Sequence, residues 1–323
     1  MDIIFLAVLS IVPGLFLLGV VLYMDRQERE PMRMIIFAFF LGVLSTVPAI
    51  MIEFMLGVIP VFRIPGITGA FLSSFIQVAP VEEAVKLGVI MLFIYRHKEF
   101  NEENDGIVYV AVSALGFAVF ENIFYVLQYG MTVGIMRAFT AVPIHCFTGV
   151  IMGYFVGTAK FLPDKAKTKS RILKGYLLAY IIHASYNTLA LSCNILALLI
   201  FPVVIATIVI GLMLLRRGRR LSIARWSKEG IPGEIGVKIS GRWKIVISRV
   251  LFVMLLGFWL LIAVGYSLET DRSGIDIYSL IAGGLVISFI PFAIGFVLEM
   301  SFRRDKKRAA GKAEAEAELL FDT

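Results

Sequence analysis

Residues 71–95 read FLSSFIQVAPVEEAVKLGVIMLFIY, an apolar run that carries three ionisable side chains, Glu82, Glu83 and Lys86, near its middle. A helix needs about 20 mostly apolar residues to cross a hydrocarbon layer of ~30 Å, so the run is long enough to be a membrane span. Each charge held near the bilayer centre costs roughly 2.5–3.5 kcal/mol on insertion scales. Side chains that expensive are expected to form a polar site, so this stretch sets the fold class and shows where to look for chemistry.

The rest of the chain has the same character. Its 323 residues are 59% hydrophobic and 17% charged, with a mean hydropathy of +0.87, which excludes an ordinary soluble domain. The pattern predicts an all-α polytopic membrane protein with about nine transmembrane helices, at roughly 3–24, 34–59, 71–95, 107–127, 135–160, 174–192, 194–215, 247–267 and 277–300. With basic residues in the end turns of a span (Arg137, Lys160, Lys174 and Arg249) counted in the adjoining loop, Lys and Arg number 3, 1, 2, 1, 6, 0, 10 and 1 in successive loops and 6 in the C-terminal tail, with none before the first span. That alternation puts the N-terminus outside and the C-terminus in the cytoplasm of a cell-membrane protein. The net charge of +7 is then a property of loops facing anionic headgroups, and no nucleic-acid role is expected. The first apolar run has no basic leader and is followed by Asp25-Arg26-Gln27-Glu28-Arg29, so it reads as a retained anchor. Neither the number nor the spacing of Cys146 and Cys193 supports a disulfide framework or a thiolate metal site.

The intramembrane charges fall in spans two to six. This divides the chain into a functional core at 1–215, a basic cytosolic loop at 216–246, accessory transmembrane helices at 247–302 and a charged cytosolic tail at 303–323. In the core, Glu82 and Lys86 lie four apart on one helix face, and Glu83 is also within reach of Lys86. Pro80 suits a first helical turn, so the span is expected to break there and to present the carboxylates at a helix N-terminus. The bland alternative is a self-neutralising Glu–Lys packing pair, which leaves the second carboxylate without a partner. Span four carries Phe117-Ala118-Val119-Phe120-Glu121-Asn122. In span five His145 is followed on its face by Gly149, Gly153 and Gly157, a small-residue stripe that turns this face toward a neighbouring helix. Span six has His183 and Asn187 one turn apart. At ~1.5 Å per residue from the cytosolic helix ends, Glu83, Glu121, His145, His183 and Asn187 lie at about 18, 21, 22, 14 and 20 Å, close enough to meet near the midplane. Glu53 lies about 9 Å from the outer end of its span by the same rise and reads as structural.

Three carboxylates and two histidines make an inventory for hydrolysis. In one version Glu121, His145 and His183 hold a zinc ion and leave its fourth position to water, with Glu82 or Glu83 taking the proton. In a metal-free version Glu82 activates water, and His183 and Asn187 bind the oxyanion. Ligands on separate helices have no diagnostic spacing, so both versions stay open. The same buried carboxylates also suit a proton- or ion-coupled transporter.

The series Glu82-Glu83-x-x-Lys86, Phe117-x-x-x-Glu121-Asn122, His145 and His183-x-x-x-Asn187 resembles the motif set of the PrsW family of intramembrane proteases, in one superfamily with the CAAX prenyl endopeptidases and bacteriocin-immunity-like proteins. The resemblance covers about residues 1–215, and the second motif ends in Glu121 where the CAAX enzymes have His. It implies an endopeptidase that cuts a membrane-protein substrate, in bacterial members an anti-sigma factor, with Glu82, Glu83, Lys86, Glu121, His145, His183 and Asn187 as its site residues. The spans after 215 depart from the family's shorter pattern, and a non-catalytic scaffold of the same superfamily is a third reading.

Overall fold

The computed structural model describes residues 3–25, 29–192 and 195–228, together with scattered helical positions between 245 and 303. The described residues form helices throughout: α1 (Ile3–Met24), α2 (Met32–Gly57), α3 (Gly66–Leu72), α4 (Ala79–Phe93), α5 (Glu103–Phe139), α6 (Ala141–Lys160), α7 (Lys165–Leu191) and α8 (Ile200–Lys228). Four helical runs are long and apolar enough to cross a membrane: Leu6–Met24, Met32–Gly57, Glu103–Lys160 and Leu196–Trp226. The third contains both α5 and α6 and, at ~1.5 Å per residue, is far longer than one crossing. The two spans expected at 247–267 and 277–300, the tail beyond 303 and Cys193 lie outside the continuously described residues. The chain divides into two compact units, Met1–Ile235 and Gly236–Thr323.

Helix α5 is the axis of the first unit. It packs against α1, α2, α6 and α8, while α7 closes on α4 and α6. Its start is fixed by a reciprocal cap in which Asp105 accepts the backbone N–H of Glu102 (2.8 Å) and the Glu102 side chain accepts the N–H of Asp105. The glycine stripe of α6 permits the tightest contact. A Cβ on Gly153 would sit 2.3 Å from the carbonyl oxygen of Gly106, and one on Gly157 would sit 2.0 Å from that of Glu103. The stripe therefore lets two backbones touch, as its spacing predicts. Near its far end α5 turns sharply at Gly130, whose φ of 79° is one that residues with a side chain rarely adopt. The short segment beyond, 131–139, carries Arg137 back toward the core.

Two expectations need correction. α4 does begin at Ala79 with Pro80 and Glu82 in its first turn, but the third span is not interrupted ahead of it. The span runs from α3 into α4 through a π-helical turn, Ser73–Val78, in which the N–H of Ala79 bonds to the carbonyl of Ser74, five residues back. The next carbonyl in that pattern, Phe75, would require an N–H from residue 80, which proline lacks. The Tyr180 hydroxyl of α7 donates to it instead (2.8 Å), and the Tyr176 hydroxyl donates to the carbonyl of Pro80 itself (3.0 Å). A wide turn with two tyrosine donors keeps the helix continuous where neighbouring helices supply the missing partners.

The second correction concerns the basic run from Arg216, expected in a loop. It belongs to α8, which continues to Lys228. The helix persists because its inner face stays buried at Leu212, Leu215 and Ser222. Its end is tied to the start of α5 by a paired contact of Arg225 with Glu103 (2.6 Å for the shortest N–O approach), a hydrogen bond from Trp226 to Glu102, and one from the N–H of Asn104 to Ser222 (3.0 Å).

Candidate active site

Four helices, α4, α5, α6 and α7, bring their ionisable residues to one place. The α4 turn after Pro80 points Glu82, Glu83 and Lys86 inward, all three buried. The Lys86 ammonium donates to Glu83 Oε1 (2.9 Å) and Glu82 Oε2 (3.1 Å), and it lies 2.9 Å from His145 Nδ1 and 4.1 Å from the centre of the Phe117 ring. Glu83 uses the same Oε1 to contact His183 Nδ1 at 2.9 Å. That contact fixes the ring and leaves its other nitrogen 3.9 Å from Glu82 Oε2. The rings of His145 and His183 meet edge to face, with centroids 4.8 Å apart. Glu82, Glu83, Lys86, Glu121, His145 and His183 thus form one contiguous cluster.

Glu121 stands on the far side of His145, its Oε2 2.9 Å from Nε2. The same oxygen is 2.7 Å from the guanidinium of Arg137. Arg137 also donates to Asn122 Oδ1 (3.2 Å) and lies 3.7 Å from the centre of the Tyr125 ring. Asn122 completes the brace by donating to the carbonyl of Ser10 on α1 (3.2 Å). Sequence reading missed Arg137 because it assigned the residue to a loop. The signal was present, since a cation inside the apolar run 135–160 needs a buried counter-charge. Asn187 is half-buried one turn beyond His183, and among the described residues no side-chain hydrogen bond joins it to the cluster.

A cavity borders the site. Its volume is about 170 Å³, and it runs between α2 and α5 and ends on Glu82 and Glu121, with walls that include Phe117, Phe120, Phe124 and Tyr125. Glu83 and Lys86 are not part of its lining, so the two adjacent glutamates have different surroundings: Glu82 faces the cavity and Glu83 faces His183. Glu53, which helix rise sets apart from the cluster, also lines the cavity. A single helix's rise ignores the fact that a cleft between helices spans several turns.

A family model described as PrsW family intramembrane metalloprotease matches residues 30–213, more than half of the chain. The chain belongs to this family. It is similar to the protein called Protease PrsW of Bacillus subtilis (strain 168), 36% identical over 178 residues that cover 55% of this chain and 79% of that one. It is also similar to Protease PrsW of Oceanobacillus iheyensis, 34% identical over 220 residues, 68% of this chain and 99% of the relative. Protease PrsW of Geobacillus kaustophilus is 36% identical over 183 residues, 57% and 78% of the two chains. No solved structure matches the chain significantly. Membership makes the protein a membrane-embedded endopeptidase, and the buried cluster is the chemistry this PrsW-family fold encloses.

Among the described residues one group of donors could hold a metal, and it joins Glu82 to the two histidines of the expected set. Glu82, His145 and His183 offer ligand atoms within 4.8 Å of one another. Among the described residues, Glu121 contacts only His145 of these three and is braced by Arg137. The carboxylate–histidine contact from Glu83 to His183 is the arrangement that orients a metal-binding imidazole, so these donors fit the group that the family description names. Both nitrogens of His145 are engaged, by Lys86 and by Glu121, so a metal held by Glu82, His145 and His183 would have to compete with one of these contacts.

Proposed function

We propose that this protein hydrolyses a peptide bond in a single-span membrane protein, of the kind typified by an anti-sigma factor, using water activated by a glutamate. The observation that carries this reading is that two carboxylates from different helices, Glu82 and Glu121, end one narrow cavity with two histidines directly behind them. Glu82, His145 and His183 would hold the metal, most simply zinc. When bound, it would polarise the scissile carbonyl and make water nucleophilic near neutral pH.

The remaining steps fall to the chain's own groups. Glu121 commits only Oε2 to Arg137 and His145, so its second oxygen is available to take the proton of the attacking water and return it to the leaving amine. Glu83 holds the His183 ring through Nδ1. Lys86 supplies positive charge beside the developing oxyanion, and Asn187 is close enough in sequence to His183 to assist there. The aromatic walls limit water in the cleft and suit an extended apolar segment. In this reading the catalytic unit is 1–215, the chain has nine spans with its N-terminus outside, and 247–302 is an accessory pair of helices.

The test is quantitative membrane proteomics on cells expressing the wild type, Glu82→Ala or His183→Ala at equal abundance. Truncated single-span proteins should appear with the wild type and vanish with both variants. Persistence of the same truncations in both variants would sink the proposal.

A further inference from the structure

We infer that Glu53 is a positioning residue for the substrate, holding the backbone of an extended polypeptide segment that enters between α2 and α5. The inference rests on the proteolytic reading of the Glu82–Glu121 cavity and adds its entrance. A second cavity, about 440 Å³, opens where α2 ends and is lined by residues that include Gly57, Arg63 and Gln77. Ile50 and Glu53 line both cavities, so the wide outer space leads into the narrow inner one past these two side chains.

Glu53 is placed to hold something. Its backbone carbonyl accepts from Gln77 Nε2 (2.9 Å), and Gln77 Oε1 accepts from Ser73 (3.2 Å), so the π-helical turn clamps this point of α2. Its carboxyl is not clamped: Oε1 is buried and has no hydrogen-bond partner. An unpaired buried oxygen among apolar walls costs about 1–3 kcal/mol, which an incoming donor removes. An extended peptide whose scissile bond lies at Glu82 and Glu121 presents backbone N–H groups along one edge, two residues apart. Glu53 accepts one of them at Oε1.

Two variants and one cross-linking site test this in cells, using as probes the proteins whose truncation depends on Glu82. Glu53→Ala should lower truncation about ten- to a hundredfold when the substrate is scarce, the cost of leaving a buried backbone N–H without its acceptor. High substrate expression should restore it, and Glu53→Gln, which keeps an acceptor, should stay within about threefold of wild type. A loss that abundant substrate does not restore, or normal cleavage by Glu53→Ala, overturns the role of Glu53. Separately, p-benzoylphenylalanine at Ile50, which is 50% exposed, should capture the intact form of the same proteins in the Glu82→Ala background. The same group at Met51, 61% exposed and lining neither cavity, should not. Equal capture at both positions, or none at 50 while truncation proceeds in the wild type, overturns the entry route. Absence of any Glu82-dependent truncation instead removes the proteolytic reading on which this one rests.

Discussion

Replacing Arg137 by Met should destabilise the core and disorder the acidic side of the site together. The guanidinium and Glu121 approach to 2.7 Å, with side chains only 12% and 19% exposed, so this is not a surface pair. At that separation the Coulomb attraction is about 6 kcal/mol for an effective dielectric constant of about 20. Desolvation of both groups offsets much of it. What remains visible is the cost of leaving one charge alone: Arg137→Met strands the Glu121 carboxylate and should lose about 3–5 kcal/mol. Glu121→Gln strands the cation and should cost a similar amount. The double variant should lose less than the sum of the two, giving a coupling energy of about 2–3 kcal/mol. Reversible SDS unfolding in mixed micelles measures all four proteins of the cycle. A coupling below about 0.5 kcal/mol would refute the idea that Arg137 holds Glu121 in place. The single variant should also cut proteolysis at saturating substrate, because Glu121 then loses its anchor beside His145.

Other consequences follow from the same geometry. Tyr180→Phe removes the donor to the Phe75 carbonyl and should cost about 1–3 kcal/mol in the same unfolding assay, while Pro80→Ala in that background should recover part of it by restoring a backbone N–H; no recovery would contradict the π-turn account. Gly157→Leu places side-chain atoms where the Glu103 carbonyl already stands, so α5 and α6 must separate, and a melting temperature equal to wild type would be the contrary result. Metal content of the purified protein, read by mass spectrometry after dialysis against a chelator series, should fall with His183→Ala. With Glu83→Gln, affinity should drop about 10–100-fold, and unchanged content in both variants would exclude the Glu82–His145–His183 donor set.

The sequence by itself determined that the chain is helical and embedded in a membrane, because about 20 apolar residues in a row have no other stable solution there. It also singled out Glu82, Glu83, Lys86, Glu121, His145 and His183, since the cost of placing charge in lipid makes such residues rare enough to notice one by one. The glycine stripe announced a close helix contact for the same local reason. Tertiary structure alone decided how these residues divide the work. Which of two adjacent glutamates faces the cavity depends on what packs around α4, and the His183 ring claimed Glu83. Arg137 became a core residue only because the chain turns at Gly130 and brings 131–139 back against α5. Glu53 joined the cleft, and Glu82 came within ligand distance of His145 and His183, through the tilt and spacing of neighbouring helices. Residue counts fix position along a helix axis, but they carry no information on rotation about it or on the gaps between helices, and those two quantities shape this site.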